Sequence, residues 1–123
     1  MSKRRASPEA ALQIAVHNML KVRLPEGMMW TASLTGVWLP PGARMKAKAM
    51  GVRRGWPDLS FLCPDGVIRT IELKAGASLS KEQRAFRDAA SPEIWALCRS
   101  VDEVVAALVR WGVQLRPDPF APA

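Results

Sequence analysis

The sequence predicts an α/β sandwich with a central mixed sheet flanked by helices. Three observations predict it. Apolar residues recur at helical spacing near both ends of the chain. Two short β-prone runs flank Pro64-Asp65-Gly66, the pattern of a hairpin. Serine-led caps open helices before and after that hairpin, giving the order α-β-α-β-β-α-β-α.

The elements follow in turn. Ser7 then Pro8 is an N-cap with proline at the first helical position. Leu12, Val16, Met19 and Leu20 place a helix over residues 8–23, which Pro25-Glu26-Gly27 ends. Met28–Ser33 reads as a strand and Thr35–Gly42 as a loop. Ala43–Met50 reads as a short basic helix with Gly51 at its C′ position. Two strands, Pro57–Cys63 and Val67–Ala75, form the hairpin. Ser80-Lys81-Glu82-Gln83 is a capping box opening the next helix. Glu93–Cys98 is an apolar strand, and Ser100-Val101-Asp102-Glu103 a second capping box. Val101, Val104, Val105, Leu108 and Trp111 share one face of the last helix, which Gly112 stops. The expected divisions are a flexible basic arm at residues 1–6, one domain at 7–115 and a disordered proline-rich tail at 116–123.

A chain of 123 residues suits one domain and excludes a large multi-domain enzyme, a TIM barrel or a two-domain dehydrogenase. With 49% hydrophobic residues it is not a disordered basic tail. The net charge of +7 argues for a polyanionic partner. That charge is unevenly placed: residues 1–56 carry ten basic side chains against Glu9 and Glu26, and residues 57–123 carry eight against nine acids. Twelve of the 18 basic residues are arginine, the side chain suited to forked phosphate contacts. No acid lies between Glu26 and Asp58, so Arg44, Lys46, Lys48, Arg53 and Arg54 are candidate phosphate contacts. Trp38 and Trp56 flank that segment and are candidates for stacking on bases or lining an interface.

Cys63 and Cys98 lack zinc-ligand spacing and read as reduced core residues. The N-terminus has no apolar run after its basic residues, and Val104–Val109 is far too short for a membrane span. The expectation is a soluble, cytoplasmic protein with no membrane partner.

The hairpin carries the chemistry. If its loop is residues 64–66, Ser60 faces Thr70 and Asp58 faces Glu72, with Lys74 further along the same face. Opposed Cβ atoms lie roughly 4.5–5.5 Å apart, and like charges so placed are destabilising unless compensated. A hard cation such as Mg²⁺, bound by carboxylate oxygens, waters and substrate phosphate, would compensate. Lys74 would then orient or help deprotonate an attacking water, or neutralise transition-state charge. A two-residue turn at Asp65-Gly66 would instead put Asp58 and Glu72 on opposite faces.

Pro57-Asp58 followed by Glu72-Leu73-Lys74 resembles the signature of the PD-(D/E)XK nuclease superfamily. The longer strings Met50–Leu59, Ile71–Lys74, Leu79–Phe86 and Cys98–Glu103 are similar to its VRR-NUC branch, over roughly residues 8–115. The resemblance implies a restriction-endonuclease-like α/β fold and a Mg²⁺- or Mn²⁺-dependent DNA endonuclease acting as a homodimer on branched or junction DNA. It implies that Asp58, Glu72, the Leu73 carbonyl and Glu9 hold the metal and that Lys74 is catalytic, with Gln83 completing the site. Gln83 also has a structural role at N3 of its capping box, and both roles are compatible. Glu9 likewise favours the helix dipole. Gln13 and His17 share the face of Glu9 and receive no role. The alternative function is a non-catalytic DNA-binding module that keeps the fold.

Overall fold

The computed structural model describes residues 7–34 and 37–122. The basic arm expected at residues 1–6 lies outside them, as do Thr35 and Gly36 of the expected loop. The elements are α1 (Pro8–Arg23), β1 (Trp30–Ala32), α2 (Pro41–Ala49), β2 (Leu59–Leu62), β3 (Ile68–Leu73), α3 (Lys81–Ala89), β4 (Trp95–Cys98) and α4 (Val101–Arg110). The order is the expected one.

The strands form one mixed sheet in the order β1-β2-β3-β4. β1, β2 and β3 pair antiparallel, and β4 joins β3 in parallel after the α3 crossover. Alternation along β2 and β3 sends Leu59, Phe61, Ile71 and Leu73 to one face. There they bury against Val16 and Leu20 of α1 and Val104, Ala107 and Leu108 of α4. Fully burying a side chain such as Phe61, Leu20 or Leu108 contributes roughly 1.5–3 kcal/mol, so this face holds the domain together. The other face is partly open: Leu62 and Ile68 stay exposed, while Thr70 and Glu72 are buried.

Local chemistry sets the boundaries. Ser7 Oγ accepts from the Ala10 N–H, and Leu24, forced extended before Pro25, ends α1. α2 starts two residues earlier than the sequence predicts because Pro41 fits the first helical position, where its missing N–H is not needed. Gly51 takes positive φ just past α2, as expected. β1 and β2 are shorter than their apolar runs. The second capping box is half formed: Ser100 Oγ accepts from the Glu103 N–H, but the Glu103 carboxylate meets the Ser100 hydroxyl, not its backbone N–H.

The hairpin loop is three residues long. The Cys63 N–H donates to the Val67 carbonyl, and Gly66, at φ +83°, supplies the left-handed residue such a loop needs. Arg69 grips Asp65 with two hydrogen bonds of 2.8 and 2.7 Å, which holds that carboxyl down at about 2. The pairing Leu59 to Ile71 and Ser60 to Thr70 is therefore the register that puts Asp58 opposite Glu72.

Past α4, the Arg116 N–H donates to the Arg23 carbonyl at 2.7 Å, and the Arg23 guanidinium returns a bond to the Arg116 carbonyl. Residues 117–122 add no helix or strand.

Candidate active site

Asp58 sits one residue before β2, where its carbonyl accepts from the Ser33 N–H and its Oδ2 accepts from the Leu73 N–H at 2.7 Å. Glu72, near the end of β3, is 2% exposed. Each carboxyl group shifts the ionisation of the other. Burial pushes the Glu72 carboxyl up to about 8, with the Asp58 charge adding to it. Burial also raises Asp58, against the lowering effect of the Leu73 N–H. A buried pair of like groups thus retains a proton at neutral pH.

Gln83 joins α3 to this pair. Its Oε1 accepts from the Ser80 N–H at 2.8 Å, and Ser80 Oγ accepts from the Gln83 N–H, which completes the capping box. Its Nε2 donates to Glu72 Oε1 at 2.6 Å. Both roles considered for Gln83 are present at once.

The loop before β2 touches the same turn of α3. A Cβ at Gly55 would fall 2.6–2.7 Å from Glu82 main-chain and Cβ atoms, and Gly55 has φ +83°. Only glycine fits there. Gly55→Ala is expected to destabilise the protein by about 2–3 kcal/mol through the backbone strain and the clash. It should also displace Gln83 from Glu72. Thermal melting reads the first effect. The second appears as a further rise in the apparent pKa of Glu72, whose charged form loses a donor, followed by carboxyl NMR titration, and an unchanged titration would show that α3 does not position Glu72.

Lys74 lies just past β3, its N–H bonded to the Cys98 carbonyl at 3.1 Å. Its side chain is 8% exposed overall and its Nζ stands 3.5 Å from Glu9 Oε1 in the first turn of α1. Asp58, Glu72, Leu73, Lys74 and Gln83 are therefore brought together, with Glu9 at the rim facing Lys74. Among the described residues, no three His, Cys, Asp or Glu side chains are gathered as a set that could hold a metal ion. The oxygen pair of Asp58 and Glu72 still fits a hard divalent cation, which binds through one or two carboxylates and keeps several waters. A buried carboxyl whose pKa a neighbouring carboxylate raises is also the arrangement a cation stabilises.

A cleft of about 320 Å³ opens over the pair, lined by Glu9, Arg54, Trp56, Asp58, Glu72 and Gln83. Trp56 meets Phe86 of α3 edge to face, ring centres 5.0 Å apart. Arg54 also lines a groove of about 710 Å³ with Arg44, Lys48, Arg53 and Trp38. Four of the five candidate phosphate contacts thus share one groove, and Lys46 is exposed on α2. A second cleft of about 380 Å³ lies on the α1 side of Asp58 and includes Gln13, His17 and Trp30.

Sequence reasoning missed Glu82 in the carboxylate cleft, since an acid in a first helical turn reads as a dipole partner. It also missed the close approach at Gly55, for which a glycine before Trp56-Pro57 was the only signal. The chain matches no family model, no curated protein and no solved structure. Among the described residues no helix is long and apolar enough to cross a membrane.

Proposed function

We propose that the protein is a Mg²⁺- or Mn²⁺-dependent DNA endonuclease of the VRR-NUC type, with a restriction-endonuclease-like fold. It hydrolyses phosphodiester bonds in branched or junction DNA. One observation carries the proposal: the hairpin register holds a half-buried Asp58 against the buried Glu72, with Lys74 two residues along.

Asp58, Glu72 and the Leu73 carbonyl would hold the cation. When bound, it supplies charge neutralisation at the phosphate and an activated water. Gln83 fixes the Glu72 rotamer by holding Oε1. Lys74, steadied by Glu9, presents an ammonium to the attacking water and to the charge that develops on the phosphate. Arg54 contacts the phosphate at the carboxylate cleft, and Arg44, Lys48 and Arg53 hold the strand beyond it. Each domain has one such site, so paired cuts across a junction need a two-fold homodimer.

The test is nicking of junction, flap and linear DNA with Mg²⁺ or Mn²⁺ by wild type and Asp58→Asn. Equal cleavage by the two would sink the enzyme reading. A second reading, a DNA-binding module that does not cut, draws on the fact that no three His, Cys, Asp or Glu side chains are gathered to hold a metal ion among the described residues. It predicts salt-dependent binding and no nicking by either protein. Under both readings Arg53→Ala with Arg54→Ala should flatten the slope of log K against log salt by about two. Fluorescence anisotropy across a salt series measures it, and an unchanged slope removes both residues from the footprint.

A further inference from the structure

The carboxylate pair lies between two clefts of different chemistry. On one side Arg54 leads into the cationic groove. On the other, Glu9 and Asp58 form the edge of the α1 cleft, which no lysine or arginine lines among the described residues. Apart from those two acids its lining is polar-neutral, aromatic or aliphatic. Gln13 and His17 project from successive turns of α1, and the His17 ring lies 5.6 Å from Trp30 at a tilt of 60°. Trp30 is held from behind by Phe61, with ring centres 6.0 Å apart and planes within 19°. Ile14 completes an apolar side.

A cleft without cations does not select a phosphate. One amide with donor and acceptor, one imidazole and aromatic walls select an uncharged heteroaromatic ring. Its volume of about 380 Å³ falls in the range of small-molecule sites. Its place beside Asp58 leaves room for the residue attached to a phosphate bound there. A base stacked inside a duplex cannot enter such a cleft, whereas an unpaired or extruded one can.

We propose that the α1 cleft receives one unpaired nucleobase of the bound DNA, next to the phosphate held at Asp58 and Glu72. The inference rests on the DNA-binding part of the proposed function and adds a substrate requirement: an unpaired nucleotide flanking the bond to be cut. Gln13 and His17 hold the base edge, and Trp30 shapes the wall behind it.

The experiment uses fluorescent duplexes with one unpaired adenine, or with an abasic tetrahydrofuran analogue at that position. Affinities are measured by anisotropy in EDTA, where no cleavage occurs. Wild type should bind the adenine form about tenfold more tightly, the scale of one stacked base. A Gln13→Ala, His17→Ala double variant should bind both forms equally, at the abasic affinity. His17 is exposed and Gln13 half-buried, and the wild-type comparison of adenine with abasic DNA leaves the protein unaltered, so that arm does not depend on the variant's folding. Equal wild-type affinities, or a tenfold preference retained by the variant, would overturn the proposal. Displacement of the DNA by micromolar deoxyadenosine monophosphate would also overturn it, because the cleft would then serve a free nucleotide. Loss of all DNA binding overturns both this proposal and the proposed function. A preserved adenine preference without cleavage in Mg²⁺ supports the cleft and sinks only the nuclease reading.

Discussion

Asp58→Asn is expected to abolish metal-dependent cleavage while making the cation-free protein more stable. Asparagine has the same shape, so its side-chain oxygen still accepts from the Leu73 N–H. Its amide is neutral beside Glu72, whose carboxyl the Asp58 charge pushes up in the wild type. The substitution removes a buried negative charge beside another acid and should stabilise the fold by roughly 1–2 kcal/mol at pH 8. For a domain of this size that is a rise in Tm of roughly 4–8 °C. Cleavage should fall by about a thousandfold, because an anionic ligand has become neutral. Thermal melts in EDTA and nicking assays in Mg²⁺ read the two effects on one protein. A variant that is both less stable and fully active would contradict the charge-pair description. Natural sites often trade stability for function in this way.

The second large effect is a pH-dependent response to divalent cations. Burial pushes the Glu72 carboxyl up to about 8 in the folded chain, against an ordinary value of 4.5. The folded state therefore keeps a proton that the unfolded chain releases between those values. Stability of the cation-free protein should fall as pH rises from 4.5 to 8 and level off above that. The raised pKa of Asp58 acts in the same direction. A bound cation competes with this proton, so its affinity should increase about tenfold with each unit of rising pH up to pH 8 when one proton is released. The difference in Tm between Mg²⁺ and EDTA should be near zero at pH 5 and several degrees at pH 8. Taking that difference cancels groups remote from the site. A response to Mg²⁺ that is flat from pH 5 to 8 would show that Glu72 is not displaced by the ion.

Much of the fold was legible because its signals are local. Ser7-Pro8 and Ser80–Gln83 mark helix starts by satisfying backbone donors, and nothing distant can change that need. The hairpin register was legible up to one choice of loop length. The chain settles that choice with Gly66 in the left-handed region and the Arg69 grip on Asp65. Asp58 opposite Glu72 followed from it. What stayed hidden depends on contacts between elements remote in sequence. Gly55 against Glu82 and Glu9 against Lys74 each join segments whose approach no periodicity encodes. The same holds for the α1 cleft: the spacing of Glu9, Gln13 and His17 was visible, but Trp30 reads as ordinary core until β1 is laid beside α1. The early start of α2 was missed because Pro-Pro-Gly reads as a loop, although proline is welcome at a first helical position.

The amide of Gln83 has one consequence beyond holding a rotamer. A capping box accepts glutamate or glutamine equally, since either offers an oxygen to the backbone N–H. Here that oxygen is already committed to Ser80, so the other end of the group must face Glu72. Glutamate in this position would keep the helix start and turn a second anion on the carboxylate. The helix code permits two letters at this position and the site permits one. A single side chain thereby makes the start of α3 and the charge state of the cleft one inheritable unit.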